Sequence, residues 1–197
     1  MTAPVLFRTF DLPDVDRREV FRYAGVASPD DAVNRELDAC LALLPPTLRG
    51  SVVWAVYDVV RKDDVLDLGF AKTSSRDLAR ALDGCDRVCV FAATASLLFD
   101  RLVRQHETVS PARALLCGAL GSERVEALCD TFCDYLSGTY TTHPRFSPGY
   151  GDLPLTLQKD LFAALGVTKR LGVALSESLL MTPTKSVTAL VGITGDQ

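Results

Sequence analysis

Segments with strand character and segments with helical character alternate in this chain without regular order, and this irregular order constrains its fold most. Residues 51–60 and 87–93 are rich in β-branched and aromatic residues, which favour strands. Within residues 185–193, apolar side chains recur at every second position from Val187 to Ile193, as they do in a strand. Because helical patterns interrupt these segments without a βαβ rhythm, we predict an α+β fold with helices packed on an antiparallel-rich sheet.

The helical patterns begin at recognisable capping residues. Predicted helices cover 14–23, 28–44, 75–82, 96–105, a segment opening at 110–111, a separate segment after 121–122, and 155–165. The segment after 122 is the best defined, since apolar residues recur at helical spacing from Val125 to Leu136 and predict a core-facing stripe. Glu126, Asp130 and Asp134 form an acidic row beside that stripe, a pattern typical of a solvated face.

Composition narrows the class of protein. With 197 residues, 48% of them hydrophobic, we expect one domain spanning 1–197, with residues 1–50 as a helical N-terminal part. The net charge is −4 and no basic stripe occurs, which argues against nucleic acid as a partner. The longest apolar stretch, 88–99, is shorter than the roughly 20 residues that a membrane span needs. The N-terminus does not have the pattern of a signal peptide, so we expect a cytoplasmic protein.

Six cysteines, at positions 40, 85, 89, 117, 129 and 133, leave two interpretations open. A four-thiolate metal site from Cys85, Cys89, Cys129 and Cys133 is conceivable, whereas packing in the core as small hydrophobic residues is favoured. His106 and His143 are the only histidines, and neither lies in a nucleophile motif. We therefore expect no catalytic dyad and no resident metal.

The stretch 140–155, with the sequence YTTHPRFSPGYGDLPL, is the candidate functional segment. Pro148 and Gly149 suit a turn that needs a positive φ at the glycine. The guanidinium of Arg145 matches a carboxylate or a phosphate. Long loops of this composition are often binding sites. The alternative is a surface loop that orders Arg145 against the acidic row.

Two motifs resemble those of a known family. The run from Arg145 to Tyr150, RFSPGY, is similar to the Arg-x-x-Pro-Gly-Tyr signature of the reactivation domain of cobalamin-dependent methionine synthase. The segment GVALSES at 172–178, followed by Met181, Pro183 and Ser186, resembles a second segment of that domain at the same spacing. Val125-Glu126-Ala127 is a third, weaker match. Together they cover residues 110–193 and look most like small stand-alone relatives of the domain.

The resemblance implies an unusual C-shaped α+β domain, built around a twisted antiparallel sheet, that binds S-adenosylmethionine. In the family, the domain places the methyl group of this ligand above the cobalt of cobalamin, which an electron from flavodoxin or a similar donor reduces. By resemblance, Arg145 grips the methionyl carboxylate and Glu126 favours the cationic end. Gly149 and Tyr150 contact the nucleoside, with the Tyr150 ring facing the corrin.

Three departures qualify this expectation. The sequence has no Asp-x-His-x-x-Gly cobalt-ligand motif, so the cobalamin is expected on a partner, a corrinoid protein or cobalamin-dependent methyltransferase. The chain ends four residues after Ile193, without the family's C-terminal Tyr, and Trp54 lies in a predicted strand rather than in the family's Trp-rich N-terminal contact. We expect part of a methionine synthase-type reactivation system in methionine biosynthesis, not a complete methionine synthase. The alternative is a non-catalytic docking protein for such a methyltransferase that has lost the ligand.

Overall fold

The structure, a computed structural model, describes residues 3–196. Its strands are β1 (Leu6–Asp11), β2 (Arg49–Asp58), β3 (Val60–Lys62), β4 (Val65–Asp67), β5 (Lys72–Thr73), β6 (Arg87–Thr94), β7 (Tyr140–Thr142), β8 (Ala174–Leu175), β9 (Met181–Thr182) and β10 (Ser186–Asp196). Its helices are α1 (Arg17–Tyr23), α2 (Asp31–Leu41), α3 (Arg76–Ala81), α4 (Leu98–His106), α5 (Pro111–Ser137), α6 (Leu157–Leu165) and α7 (Val167–Leu171). No helix within 3–196 is both long and apolar enough to cross a membrane.

The predicted α+β class is confirmed by a five-stranded antiparallel sheet in the order β1-β2-β6-β10-β7. The three segments with strand character in the sequence form its centre, with Phe91 of β6 opposite Trp54 of β2 on one side and Ala189 of β10 on the other. Strand β1 forms one edge, and its apolar residues Leu6 and Phe7 are each 50% exposed. The sequence pattern did not predict this edge strand. Two small sheets, β3-β4-β5 and β8-β9, lie outside the main one.

Hydrophobic residues cover both faces of the main sheet. On one face, Val53 and Leu190 belong to a cluster with residues of α3, α6 and α7. On the other face, Phe132 of α5 packs against Trp54 and Phe91, with ring centroids 5.2 Å and 4.8 Å away. A third cluster joins α1, α2 and α4 to the first half of α5. The N-terminal helices and the sheet are therefore both held by α5.

Helix α5 corrects the prediction of two helices separated at Gly121-Ser122, because it runs unbroken from Pro111 to Ser137. Gly121 is buried within it, and a Cβ there would lie 2.7 Å from Phe99 and 2.9 Å from Cγ of Lys185. Close packing therefore explains this glycine, and the tertiary contacts outweigh its low helix propensity. A smaller correction concerns α2, whose N-cap is Asp30 rather than Ser28.

All six cysteines are free, and all except the half-buried Cys133 are buried. Cys89 lies in β6 and Cys129 in α5, so the two pairs are not on two helices that could combine their thiolates. Burial raises the pKa of both Cys89 and Cys129, which keeps these thiols protonated. Core packing is therefore the structural role of these residues, and residues 3–196 contain no cluster of three or more His, Cys, Asp or Glu side chains that would hold a metal ion.

Candidate functional site

The segment between β7 and α6 is pinned to the main sheet at Phe146. Its backbone N–H and C=O exchange two hydrogen bonds of 2.8 Å with Leu190 of β10. Upstream, the N–H of His143 donates to the carbonyl of Gly192 at 2.9 Å. The backbone is therefore bonded to β10 both before and after Arg145, although the segment has little regular secondary structure. A side chain held this way loses less freedom on binding a ligand.

The following turn is closed by its own backbone. The N–H of Tyr150 donates to the carbonyl of Ser147 at 3.2 Å, and that of Gly149 donates to Leu153 at 2.9 Å. Gly149 has φ +92° and Gly151 has φ +53°, so the positive φ expected at Gly149 is confirmed. A Cβ on Gly149 would lie 3.2 Å from Leu155. Side chains are tolerated poorly in this turn, and its shape depends on both glycines.

Asp152 ties the turn to the N-terminus of α3. Its carboxylate accepts hydrogen bonds from Ser75 Oγ and from the N–H groups of Arg76 (2.8 Å) and Asp77 (3.1 Å). In return, Asp77 Oδ2 accepts from the N–H of Asp152 at 3.0 Å. Ser75 is also the N-cap of α3 and accepts from the N–H of Leu78. This reciprocal pair of carboxylates fixes the position of Tyr150 relative to the fold.

Arg145 binds two members of the acidic row on α5. Its Nη1 donates to Asp130 Oδ1 at 2.6 Å, and its Nη2 donates to Glu126 Oε2. Burial lowers the pKa of Arg145, but Cys129 and the two carboxylates raise it by more, so the net shift is upward and the guanidinium stays charged. The sequence left open whether Arg145 binds a ligand or is ordered against this row. In the structure Arg145 is ordered against the acidic row, and the two hydrogen bonds use two of its five N–H donors.

Three of the four candidate residues, Glu126, Arg145 and Tyr150, surround one cavity of about 250 Å³. Phe146, Ser147 and Val187 complete its lining. The Tyr150 side chain is 68% exposed and stands at the rim. Gly149 does not line this cavity, and its contribution is to the turn that carries Tyr150. The predicted roles of the four residues in ligand binding stay predictions.

A second cavity, of about 360 Å³, adjoins the first at Glu126 and lies between α1 and α5. We call it the acidic groove. Its acidic lining residues are Asp14, Asp16, Glu19, Glu123, Glu126, Asp130 and Asp134. Part of this negative charge is balanced, because the buried Glu123 pairs with Arg124 at 2.5 Å, Glu19 pairs with Arg22 at 2.6 Å, and Arg145 pairs with Glu126 and Asp130. Arg124 also donates to the carbonyls of Pro13 and Asp14 and so holds the N-terminal wall in place.

The sequence predicts neither Asp130 as a partner of Arg145 nor the acids that α1 contributes to the groove. Asp130 belonged to a row interpreted as a solvated face, and only its contact with Arg145 distinguishes it. Asp16 is the N-cap of α1 and lines the groove as well. No local pattern indicates that α1 lies opposite α5. The combined site offers a surplus of carboxylates, one guanidinium and an exposed aromatic ring, which suits a ligand with a cationic part and an apolar, planar part.

Comparison with known proteins gives matches of two kinds, to a family model and to solved structures. A sequence model of the family described as Vitamin B12 dependent methionine synthase, activation domain, matches residues 131–195. Among solved structures, the crystal structure of the MetH reactivation domain bound to AdoHcy matches with a TM-score of 0.72 at 17% identity, covering 99% of this chain and 80% of that one. No curated protein matches the sequence significantly. The resemblance to this domain is confirmed, and the chain has its fold.

Proposed function

We propose that this protein is an S-adenosylmethionine-binding module of the methionine synthase reactivation type, serving a cobalamin held by a separate protein. The observation that carries the proposal is the convergence of Glu126, Arg145 and Tyr150 on one cavity beside the acidic groove. Two further findings support it. The matched family model covers the segment that contains Arg145 and Tyr150, and the similar solved domain is bound to AdoHcy.

The residues present fit the ligand. The two adjoining cavities together are of the size that ligand pockets in proteins have. Arg145 lines the smaller cavity and has N–H donors beyond the two that bind Asp130 and Glu126, and a guanidinium of this kind suits a ligand carboxylate. Glu126 and Asp130 supply negative charge for an ammonium or sulfonium group. S-adenosylmethionine, held by Arg145 and Glu126, would supply an electrophilic methyl group for the cobalamin of the partner.

The chain itself contributes binding and orientation rather than proton transfer. Arg145 and Glu126 hold the charged end of the ligand. The pinned loop keeps Arg145 at a fixed distance from the sheet, and α5 carries Glu126. Tyr150, exposed at the rim, covers the ligand on the side open to solvent and faces the approaching partner. Neither task requires a general acid or base.

One observation favours a second candidate function, a docking protein that has kept the fold and lost the ligand. Arg145 already pairs with two carboxylates, and a ligand carboxylate must share the same guanidinium with them. In such a protein the ion pairs serve to fix the loop that carries Tyr150. The binding surface for a corrinoid protein would then be retained.

Thermal unfolding in the presence of ligands distinguishes the two functions, because a ligand that binds only the folded state raises the melting temperature. We expect S-adenosylmethionine to raise it in a concentration-dependent manner, with methionine and adenosine at the same concentrations as controls. An unchanged melting temperature at millimolar S-adenosylmethionine would reject the first function. Saturable binding to a cobalamin-loaded methyltransferase in that case would support the second.

A further inference from the structure

A third cavity, of about 560 Å³, lies between α4 and α5 and is separate from the site around Arg145. We call it the α4–α5 groove. Its floor is apolar and includes Val103, Leu115 and Ala119. Leu115 is 54% exposed, although it lies on the helix that organises the core. Tyr23 of α1 lines both this groove and the acidic groove, and so stands between them.

The polar lining of this groove is basic. Lys185 and Arg104 both line it, and Asp100 is the acidic residue beside them. The Asp100 carboxylate is already occupied, since it accepts hydrogen bonds from the N–H of Thr184 at 3.0 Å and from its hydroxyl. In the part of the chain that the structure describes, neither Lys185 nor Arg104 forms an ion pair. The two cationic groups therefore outnumber the one carboxylate among the lining residues of the groove, and neither of them is held in an ion pair with it.

Lys185 is held in this position by several contacts. Its carbonyl accepts from the N–H of Ala95 at 2.9 Å, and its Nζ donates to Ser122 Oγ at 2.9 Å. The aliphatic part crosses α5 at Gly121, where a Cβ would come within 2.9 Å of Lys185 Cγ. A glycine inside a helix lowers its stability, and here it allows the lysine side chain to reach the groove.

Burial lowers the pKa of Lys185, and the Asp100 carboxylate opposes this shift. A half-buried ammonium group whose partner is a hydroxyl is incompletely satisfied. An anion in the groove would restore the favourable charge interaction that burial removes. The apolar floor next to it would take up a hydrocarbon part of the same ligand.

We propose that the α4–α5 groove is a second binding site, which takes an organic anion carrying a carboxylate or phosphate on a small apolar body. Lys185 and Arg104 bind the anionic group, and the side chains of Val103, Leu115 and Ala119 contact the apolar part. The site does not depend on the function proposed for the Arg145 region. A failure of S-adenosylmethionine binding would leave this proposal unaffected.

The test is a nitrogen-15 NMR titration of the full chain with hexanoate and hexyl phosphate, using hexanamide as the uncharged counterpart of hexanoate. We expect at least one anion to shift the amide signals of Leu115, Gly118 and Ala119 in a saturable manner, with hexanamide at least about tenfold weaker. Lys185→Met keeps the length of the side chain and removes its charge, so it should weaken the anion by a similar factor. Lys159→Met, on the exposed face of α6, is the control and should change nothing.

Arg104→Gln provides a second variant on an exposed side chain, in case Lys185→Met does not fold. It should weaken the same anion with the same groove signals affected. The proposal is overturned if neither anion shifts these signals, or if hexanamide binds as well as hexanoate. It is also overturned if removal of a groove cation leaves anion affinity unchanged.

Discussion

Arg145 donates a hydrogen bond of 2.6 Å from its Nη1 to Oδ1 of Asp130, a residue one helical turn beyond Glu126 on α5. The acidic row on α5 is therefore not only a solvated face, because Glu126 and Asp130 bind Arg145 and line the acidic groove. The contact also means that the affinity of the site for a ligand depends on how three charged groups share their hydrogen bonds. Substitutions at the individual carboxylates therefore test the site more finely than removal of the arginine alone.

The first prediction concerns the preference for S-adenosylmethionine over S-adenosylhomocysteine, which lacks the sulfonium charge. We expect Glu126→Gln and Asp130→Asn to reduce this preference, because each removes a negative charge near the cationic end of the ligand. Asp160→Asn is the matched control, since this exposed carboxylate on α6 lines neither of the two cavities. Competition binding of both ligands to the three variants measures the ratio. An unchanged ratio in Glu126→Gln and Asp130→Asn would exclude the acidic row from cation recognition.

The second prediction is that Gly151→Ala destabilises the protein more than an equivalent change elsewhere. Gly151 has φ +53°, and a Cβ there would collide with the Asp77 carboxylate. We expect a loss of roughly 2 kcal/mol or more in the free energy of unfolding. Gly84→Ala is the control, because Gly84 has φ +74° but open space around its Cα, and should cost about 1 kcal/mol. Equal losses in urea unfolding would show that the Asp77 contact does not restrain this turn.

The third prediction concerns the cap of α3. Ser75→Ala removes the acceptor for the N–H of Leu78 and a donor to Asp152, so we expect a loss of about 1 kcal/mol in the free energy of unfolding. Ser28→Ala is the control, since Ser28 has the sequence signature of a cap while Asp30 caps α2. Urea denaturation of both variants measures the difference. A stability of Ser75→Ala equal to that of the wild type would contradict the capping role.

The fourth prediction is a pH dependence that arises from Asp152. Hydrogen bonds from Ser75, and from the N–H groups of Arg76 and Asp77, hold the pKa of Asp152 below the ordinary value for an aspartate, 3.8. Because the folded pKa is lower than the unfolded one, the stabilisation is present above the unfolded value and is lost as pH falls through the folded one. The gap in stability between the wild type and Asp152→Asn should stay constant from about pH 5 to 7 and shrink below about pH 4. A gap that widens on acidification would refute this assignment.

The sequence predicts the centre of the fold well because its signals there are local. Strands β2, β6 and β10 carry β-branched and apolar residues wherever they contact a helix, and the stripe on α5 recurs at helical spacing. Strand β1 escaped prediction because it pairs on one side only, leaving Leu6 and Phe7 half-exposed. The predicted helix break at Gly121 was wrong for a different reason. Close contacts with Phe99 and Lys185 require a glycine at this position inside a continuous helix.

The site was predictable only in part, because its parts are brought together by tertiary packing. Arg145 and Tyr150 carry a recognisable motif, whereas the partner Asp130 lies fifteen residues away on another element. The contact between Asp152 and Ser75 joins residues 77 positions apart. No local pattern encodes the register between the loop, α3 and α5. The acids of α1 reach the groove because Arg124 binds the carbonyls of Pro13 and Asp14 and so holds the N-terminal segment against α5.

Calorimetric titration of S-adenosylmethionine into the wild type and into Arg145→Ala tests the central claim most directly. We expect saturable binding by the wild type, weakened about tenfold or more in Arg145→Ala because a charged, fork-shaped donor is lost. Arg35→Ala, a change at an exposed arginine on α2, should bind as the wild type does, and circular dichroism should show that all three proteins are folded. Wild-type binding that persists unchanged in Arg145→Ala, or a wild type that does not bind at millimolar ligand, would contradict the assignment of this site.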